Sequence, residues 1–274
     1  MLPDEEPIAQ SVAADYALEL EAMRALHVAV VAMMTAGKWN VTRRAGTNPF
    51  TVEIILGLLT KAIKTFRSVE LLARRGLHED ANALVRVLTE TATATTFILQ
   101  TRSRERALGY YAHSLSQSLK MIREWKRTPG LKRRVSSKKI KEVEEALESI
   151  VSCLPTGYDF RNHWSGKGSL QNALKSLRAD SVYSVLYRHT SSIAHASDVG
   201  LHFVNDANTG TLIWQIQPRS RGVLPVILVS TELLWVLASR INERLGLGFD
   251  SSLLQHKVTR GRLAAAARIV PSDL

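Results

Sequence analysis

TNPFTVEIILGLLTKAIKTFRSVELLARRG, Thr47 to Gly76, decides how the rest of the chain is read. Asn48 is a helix-capping type and Pro49 suits a first turn. Gly76 suits a helix stop, and Arg74 and Arg75 sit where a helix dipole favours cations. One long helix with both ends written into it therefore sets the pattern. Working outward, helical patterns run over 6–34, 78–100, 105–127 and from Ser136 or Ser137 to about Cys153. Shorter ones follow at 169–177 and 180–197, and a long apolar one at 222–245. The period changes only around NDANTG, where Leu201–Val204 and Thr211–Ile216 read as the strands of a hairpin. The expected class is all-α in the main, a multi-helix bundle with one small β-hairpin.

The 274 residues read as a single helical domain, 1–274, with an N-terminal helix in 1–45 and a basic tail in 249–274. The apolar run Val223–Ala238 is sixteen residues long and contains Pro225 and Glu232, short of the roughly 20 a bilayer needs, so a core helix is expected. The lone Cys153 allows no intrachain disulfide and is expected to pack, and the acidic start MLPDEEPIAQ is unlike a secretory signal. A cytoplasmic protein is expected.

The formal charge is +11, and the window 120–141 carries ten Lys/Arg against Glu124 alone. Lys132, Arg133, Arg134, Lys138 and Lys139 fall in its densest part. Such a field attracts polyanions, RNA first among them. A solvated surface that keeps the protein soluble is the competing explanation. With one aromatic, Trp125, the window reads as a phosphate tether and not a base-stacking platform.

Two polar stripes stand out in apolar helices. At about 100° per residue, Ser184, Arg188, Ser191 and His195 share a face. A guanidinium can hold phosphate oxygens through paired N–H bonds, and an imidazole can exchange a proton near neutral pH. The other stripe is Asn82, Arg86, Glu90 and Thr93. An Arg86–Glu90 pair contributes only a few tenths of a kcal/mol, so the stripe is expected to face the first, with Glu90 pairing Arg188 or His195. A structural ion pair and a satisfied core histidine would account for the same residues.

SGKGS at 165–169 suggests a phosphate loop, but a Walker A motif needs glycine where Arg161 stands. Trp164 and Lys167 are kept as candidate lining residues. His189, His195, Asp198 and His202 match no metal-ligand spacing. No metal and no cofactor are expected.

The segments GLHEDANALVRVLTETATATTFIL (76–99), HWSGKG (163–168) and YRHTSSIAHAS (187–197) resemble a family of bacterial helical proteins of unknown activity, over roughly 52–216. The Arg-polar-…-His arrangement also resembles HEPN domains. That resemblance implies metal-independent RNA cleavage by a homodimer, of toxin or phage-defence type, with a cognate antitoxin or activator. In it His195 is the general acid/base, Arg188 stabilises the transition state and His189 orients substrate, with Arg86 and Glu90 beside them. Tyr187, Ser191 and Ser192 would contact substrate. Six residues separate Arg188 from His195, a long spacing for such motifs, and the chain is larger than a minimal domain of that kind. A non-catalytic module binding RNA, a nucleotide or a protein stays open beside the ribonuclease, as does a scaffold whose stripes fix helix register.

Overall fold

Glycine, asparagine and serine punctuate the helices where the sequence places them. A computed structural model describes residues 5–36, 48–194, 203–206, 209–214 and 218–256. Within these run α1 (Glu5–Asp15), α2 (Ala17–Ala36), α3 (Pro49–Ala73), α4 (His78–Leu99) and α5 (Ser103–Arg127). They are followed by α6 (Ser137–Val151), α7 (Leu170–Ser176), α8 (Arg188–Ala194) and α9 (Val223–Leu245). A 3₁₀ turn, Lys132–Arg134, joins α5 to α6, and a π-helical segment, Val182–Tyr187, leads into α8.

The class is all-α, and the expected hairpin is corrected as a component of it. The described strands are Phe203–Asn205 and Leu212–Trp214, with Phe203 opposite Trp214, not Leu201–Val204 with Thr211–Ile216. Three-residue strands make no sheet layer, since an isolated two-stranded ladder is marginal by itself. The helices carry the architecture.

The Asn48 side chain accepts from the Phe50 amide at 3.0 Å, capping α3. Gly76, at φ 72°, ends that helix, with the Leu77 amide reaching back to the Leu72 carbonyl at 3.0 Å. Ser136 caps α6 by accepting from the Lys139 amide. The pattern read as one helix over 6–34 is two: Tyr16 interrupts it, and its hydroxyl reaches the Ser220 carbonyl at 3.5 Å. Cys153 is exposed and does not pack, because α6 ends before it and it falls in the following turn.

The chain forms two compact units. One gathers 1–39, 58–92 and 181–274; the other gathers 40–57 and 93–180. In the first, α2 packs on α9. Met23, Leu26, Val30 and Met33 of α2, three or four residues apart, are fully buried, as are Ile227, Leu234 and Ile241 of α9. Full burial of such a side chain contributes about 1.5–3 kcal/mol. At 23 residues α9 is long and apolar enough for a membrane span by length and composition. Its buried stripe, from Val223 to Leu245, makes it a core helix of this unit. Gly222 opens it at φ 95°, where a Cβ would lie 2.4 Å from the His78 ring. In the same unit Glu70 is buried, and Arg67 at 2.6 Å and Arg74 at 3.0 Å neutralise it.

In the second unit α5 packs on α6. Tyr158, from the loop after α6, presses against Gly109 of α5, where a Cβ would meet its ring and hydroxyl at 2.4 Å.

Candidate functional site

The polar stripe of α4 does meet the segment that carries Arg188, through a residue other than the expected one. Glu90 accepts from the Tyr187 hydroxyl at 3.1 Å, and the same hydroxyl accepts from Arg86 Nη2 at 3.0 Å. Arg86 Nε closes the triangle on Glu90 at 3.4 Å, and its guanidinium lies 5.0 Å from the Tyr187 ring centre. Burial first, then the Glu90 charge, pushes the Tyr187 hydroxyl above its usual pKa. Among the described residues Glu90 meets Arg86 and Tyr187 and is in no ion pair with Arg188, while the other expected partner, His195, lies outside them.

Helix geometry explains the substitution. Residues 182–187 take the wider π-helical turn, so a stripe laid out at α-helical spacing does not hold through Ser184. Tyr187 closes that turn facing α4, and Arg188 opens α8 on the exposed side. Ser191 is half-buried, and Thr190 is buried with its hydroxyl on the Leu186 and Tyr187 carbonyls. His189 and Ser192 belong to the α8 backbone, and their side chains are not among the described residues. His195, Asp198 and His202 lie outside the described residues.

The basic window occupies the α5–α6 hairpin of the second unit. Lys132, Arg133 and Arg134 form the 3₁₀ turn and are all exposed, as are Lys138 and Lys139 at the start of α6. Five carboxylates, one on α5 and four on α6, face ten cations over 120–148, so the local excess is smaller than the window alone implies. Arg123 pairs with Glu144, Arg127 with Glu124, Lys139 with Glu142 and Lys141 with Glu145. Lys126 donates to the Val135 carbonyl at 2.9 Å, which ties the turn to α5. Among the described residues Lys120, Lys132, Arg133, Arg134 and Lys138 are in no ion pair. Met121 and Trp125 are 48% and 43% exposed one helical turn apart, so the surface also carries an accessible indole.

Trp164 packs in an aromatic cluster of the same unit, edge-on to Phe97 at 5.6 Å and beside His163 at 4.6 Å. The neighbouring turn is locked by Ser165, whose hydroxyl lies 2.7 Å from His163 Nδ1 and accepts from the Lys167 amide at 3.2 Å. Because the Ser165 amide also points at Nδ1, that nitrogen is the acceptor and the ring proton sits on Nε2. Burial, reinforced by His113, lowers the His163 pKa to about 4. Lys167 is exposed and lines a cavity with residues the sequence reading passed over: Arg102, Glu105, Arg106 and Tyr158. The signal for them was TRSRER at 101–106, three arginines in alternation at the start of a helix.

A helical protein with a braced polar helix pair and a separate cationic turn is what fold and side chains define. The chain belongs to a family of unknown function (DUF5677), whose model matches residues 52–211, more than half of its length. No curated protein and no solved structure matches the chain.

Proposed function

We propose that this protein engages RNA and cleaves it without a metal, in the manner of HEPN ribonucleases. The observation that carries the reading is the placement of Arg188: exposed, at the mouth of a π-helical turn anchored to α4 by Tyr187, Glu90 and Arg86. Among the described residues Arg188 meets no carboxylate, which leaves its N–H fork for a phosphate, and a fixed helix start limits its search. In this reading the ribose 2′-hydroxyl attacks the adjacent phosphorus. His195 moves the proton, and Arg188 stabilises the negative charge that develops on the non-bridging oxygens. The 5′-oxygen leaves, and the product is a 2′,3′-cyclic phosphate. The unpaired cations of the α5–α6 turn supply sequence-independent affinity. A homodimer acting in the cytoplasm, held in check by an antitoxin or released by an activator, belongs to the same proposal.

The deciding experiment incubates total RNA and tRNA with purified protein in EDTA, comparing wild type with Arg188→Ala and His195→Ala. Cyclic-phosphate ends with wild type, lost in both variants while their circular dichroism is unchanged, are the expected result. Intact RNA that is nevertheless retained by the protein, with retention lost on Lys132→Ala/Arg133→Ala/Arg134→Ala, would replace the enzyme by a binding module.

A further inference from the structure

Within the second unit, the α4–α5 turn and the loop 155–167 line an open cavity of about 540 Å³. That size is in the range of small organic ligand sites, roughly 300–1,000 Å³. Three cations line it, Arg102, Arg106 and Lys167, against one carboxylate, Glu105.

Arg106 is fixed. Its guanidinium stacks 3.9 Å from the Phe97 ring centre, Nη1 donates to the Phe97 carbonyl near the end of α4, and it reaches Gln100 Oε1 at 3.3 Å. Arg102 is held at φ 52°, in the left-handed region that residues other than glycine seldom adopt. Its guanidinium is largely exposed, and Glu105 lies at 3.8 Å. Lys167, between Gly166 and Gly168 at φ 66° and 79°, has no acidic partner among the described residues. Three cationic side chains thus share this space with one carboxylate to offset them.

Close contacts fix the walls. Tyr158 lies between Gly109 and Gly166, each so close that a Cβ would come within 3 Å of its ring, and its hydroxyl reaches the Trp164 carbonyl at 3.4 Å. The net lining charge of +2, three cations less Glu105, matches a phosphate monoester, which carries about −1.5 to −2 at pH 7. A carboxylate would neutralise half of it. Inorganic phosphate alone would leave most of the volume empty, and Phe97 and Pro155 offer apolar wall to an organic body.

We propose that this cavity binds a small phosphate monoester, with Arg102 and Lys167 holding the phosphate oxygens and Arg106 fixed behind them. The site uses none of the residues assigned to RNA cleavage or to the basic turn, and it stands or falls without them.

The test is titration calorimetry on the full chain at low salt with adenosine 5′-monophosphate, ribose 5-phosphate, inorganic phosphate and ribose. Both esters are expected to bind more tightly than inorganic phosphate, and ribose not at all. Arg102→Ala and Lys167→Ala, both at exposed side chains, should each weaken ester binding about ten-fold. Glu105→Gln should tighten it several-fold by removing the competing carboxylate, an effect no merely structural role predicts. Absence of ester binding at millimolar concentration, inorganic phosphate binding as tightly as the esters, or indifference to all three substitutions would overturn the proposal.

Discussion

Tyr187 ties the start of α8 to α4 through a single hydroxyl that donates to Glu90 and accepts from Arg86. Tyr187→Phe keeps the ring under the Arg86 guanidinium and removes both hydrogen bonds. Because Glu90 is 43% exposed and can rehydrate, the loss should be near the lower end, about 1–2 kcal/mol by urea denaturation. If Arg188 works as proposed, cleavage should fall in this variant more than its stability does. The Arg86–Glu90 pair was legible in the sequence as an i,i+4 contact, and so was the need for a partner. That the partner is Tyr187 was not, because a 100° projection cannot register a π-helical turn. His163 is a second single-residue lever. At pH 7 its ring is neutral both folded and unfolded. As the pH falls below about 6.5, the unfolded chain takes up a proton that the folded protein refuses until about pH 4. Stability should therefore drop across that window and level off below it. The drop should be about 1–2 kcal/mol, allowing for the partial solvent access of the ring. Urea midpoints at pH 7, 5.5 and 4.5 check it, and an imidazole titrating near 6.5 by NMR would contradict it.

Among the elements, α5 shows how far packing can override propensity. Alanine in place of glycine inside a helix ordinarily adds about 1 kcal/mol. At Gly109 the new Cβ would lie 2.4 Å from Tyr158, so Gly109→Ala should instead destabilise by about 1–3 kcal/mol and loosen loop 155–168. The pair Gly109→Ala with Tyr158→Leu should recover part of that loss in a thermal melt. Helix ends were readable where one residue type does the work: Asn48 caps α3 and Gly76 ends it as expected, and Ser136, one of the two starts offered for α6, is the one that caps it. The break at Tyr16 was not, since the i→i−4 bonds of Tyr16 to Val12 and of Leu20 to Tyr16 persist across it and the sequence there carries neither proline nor glycine. Cavity residues escaped notice for another reason. Arg102 and Lys167 are 65 positions apart, and nothing local in either says that the fold will bring them to one space.

For the whole molecule, the net charge of +11 overstates what a polyanion would meet, because α6 returns four carboxylates to the hairpin that carries most of the excess. The cations left unpaired are the ones to test. If RNA binds there, log K should fall linearly with log salt, by about 0.7 per phosphate neutralised on a single strand. Lys132→Ala/Arg133→Ala/Arg134→Ala should then reduce the slope by about 2, measured by fluorescence anisotropy, whereas Lys139→Ala, whose charge Glu142 already offsets, should change it less. Composition displayed the basic window at once; the pairing that thins it depends on how α6 folds back. The contact between Gly109 and Tyr158 has a consequence that reaches beyond this chain. Two sites 49 positions apart are bound by one volume, so neither is free to drift alone. An alignment of the family should show them changing together, with a side chain at the first position accompanied by a smaller residue at the second. That shared history would be a record of the loop's seating written in other proteins' sequences.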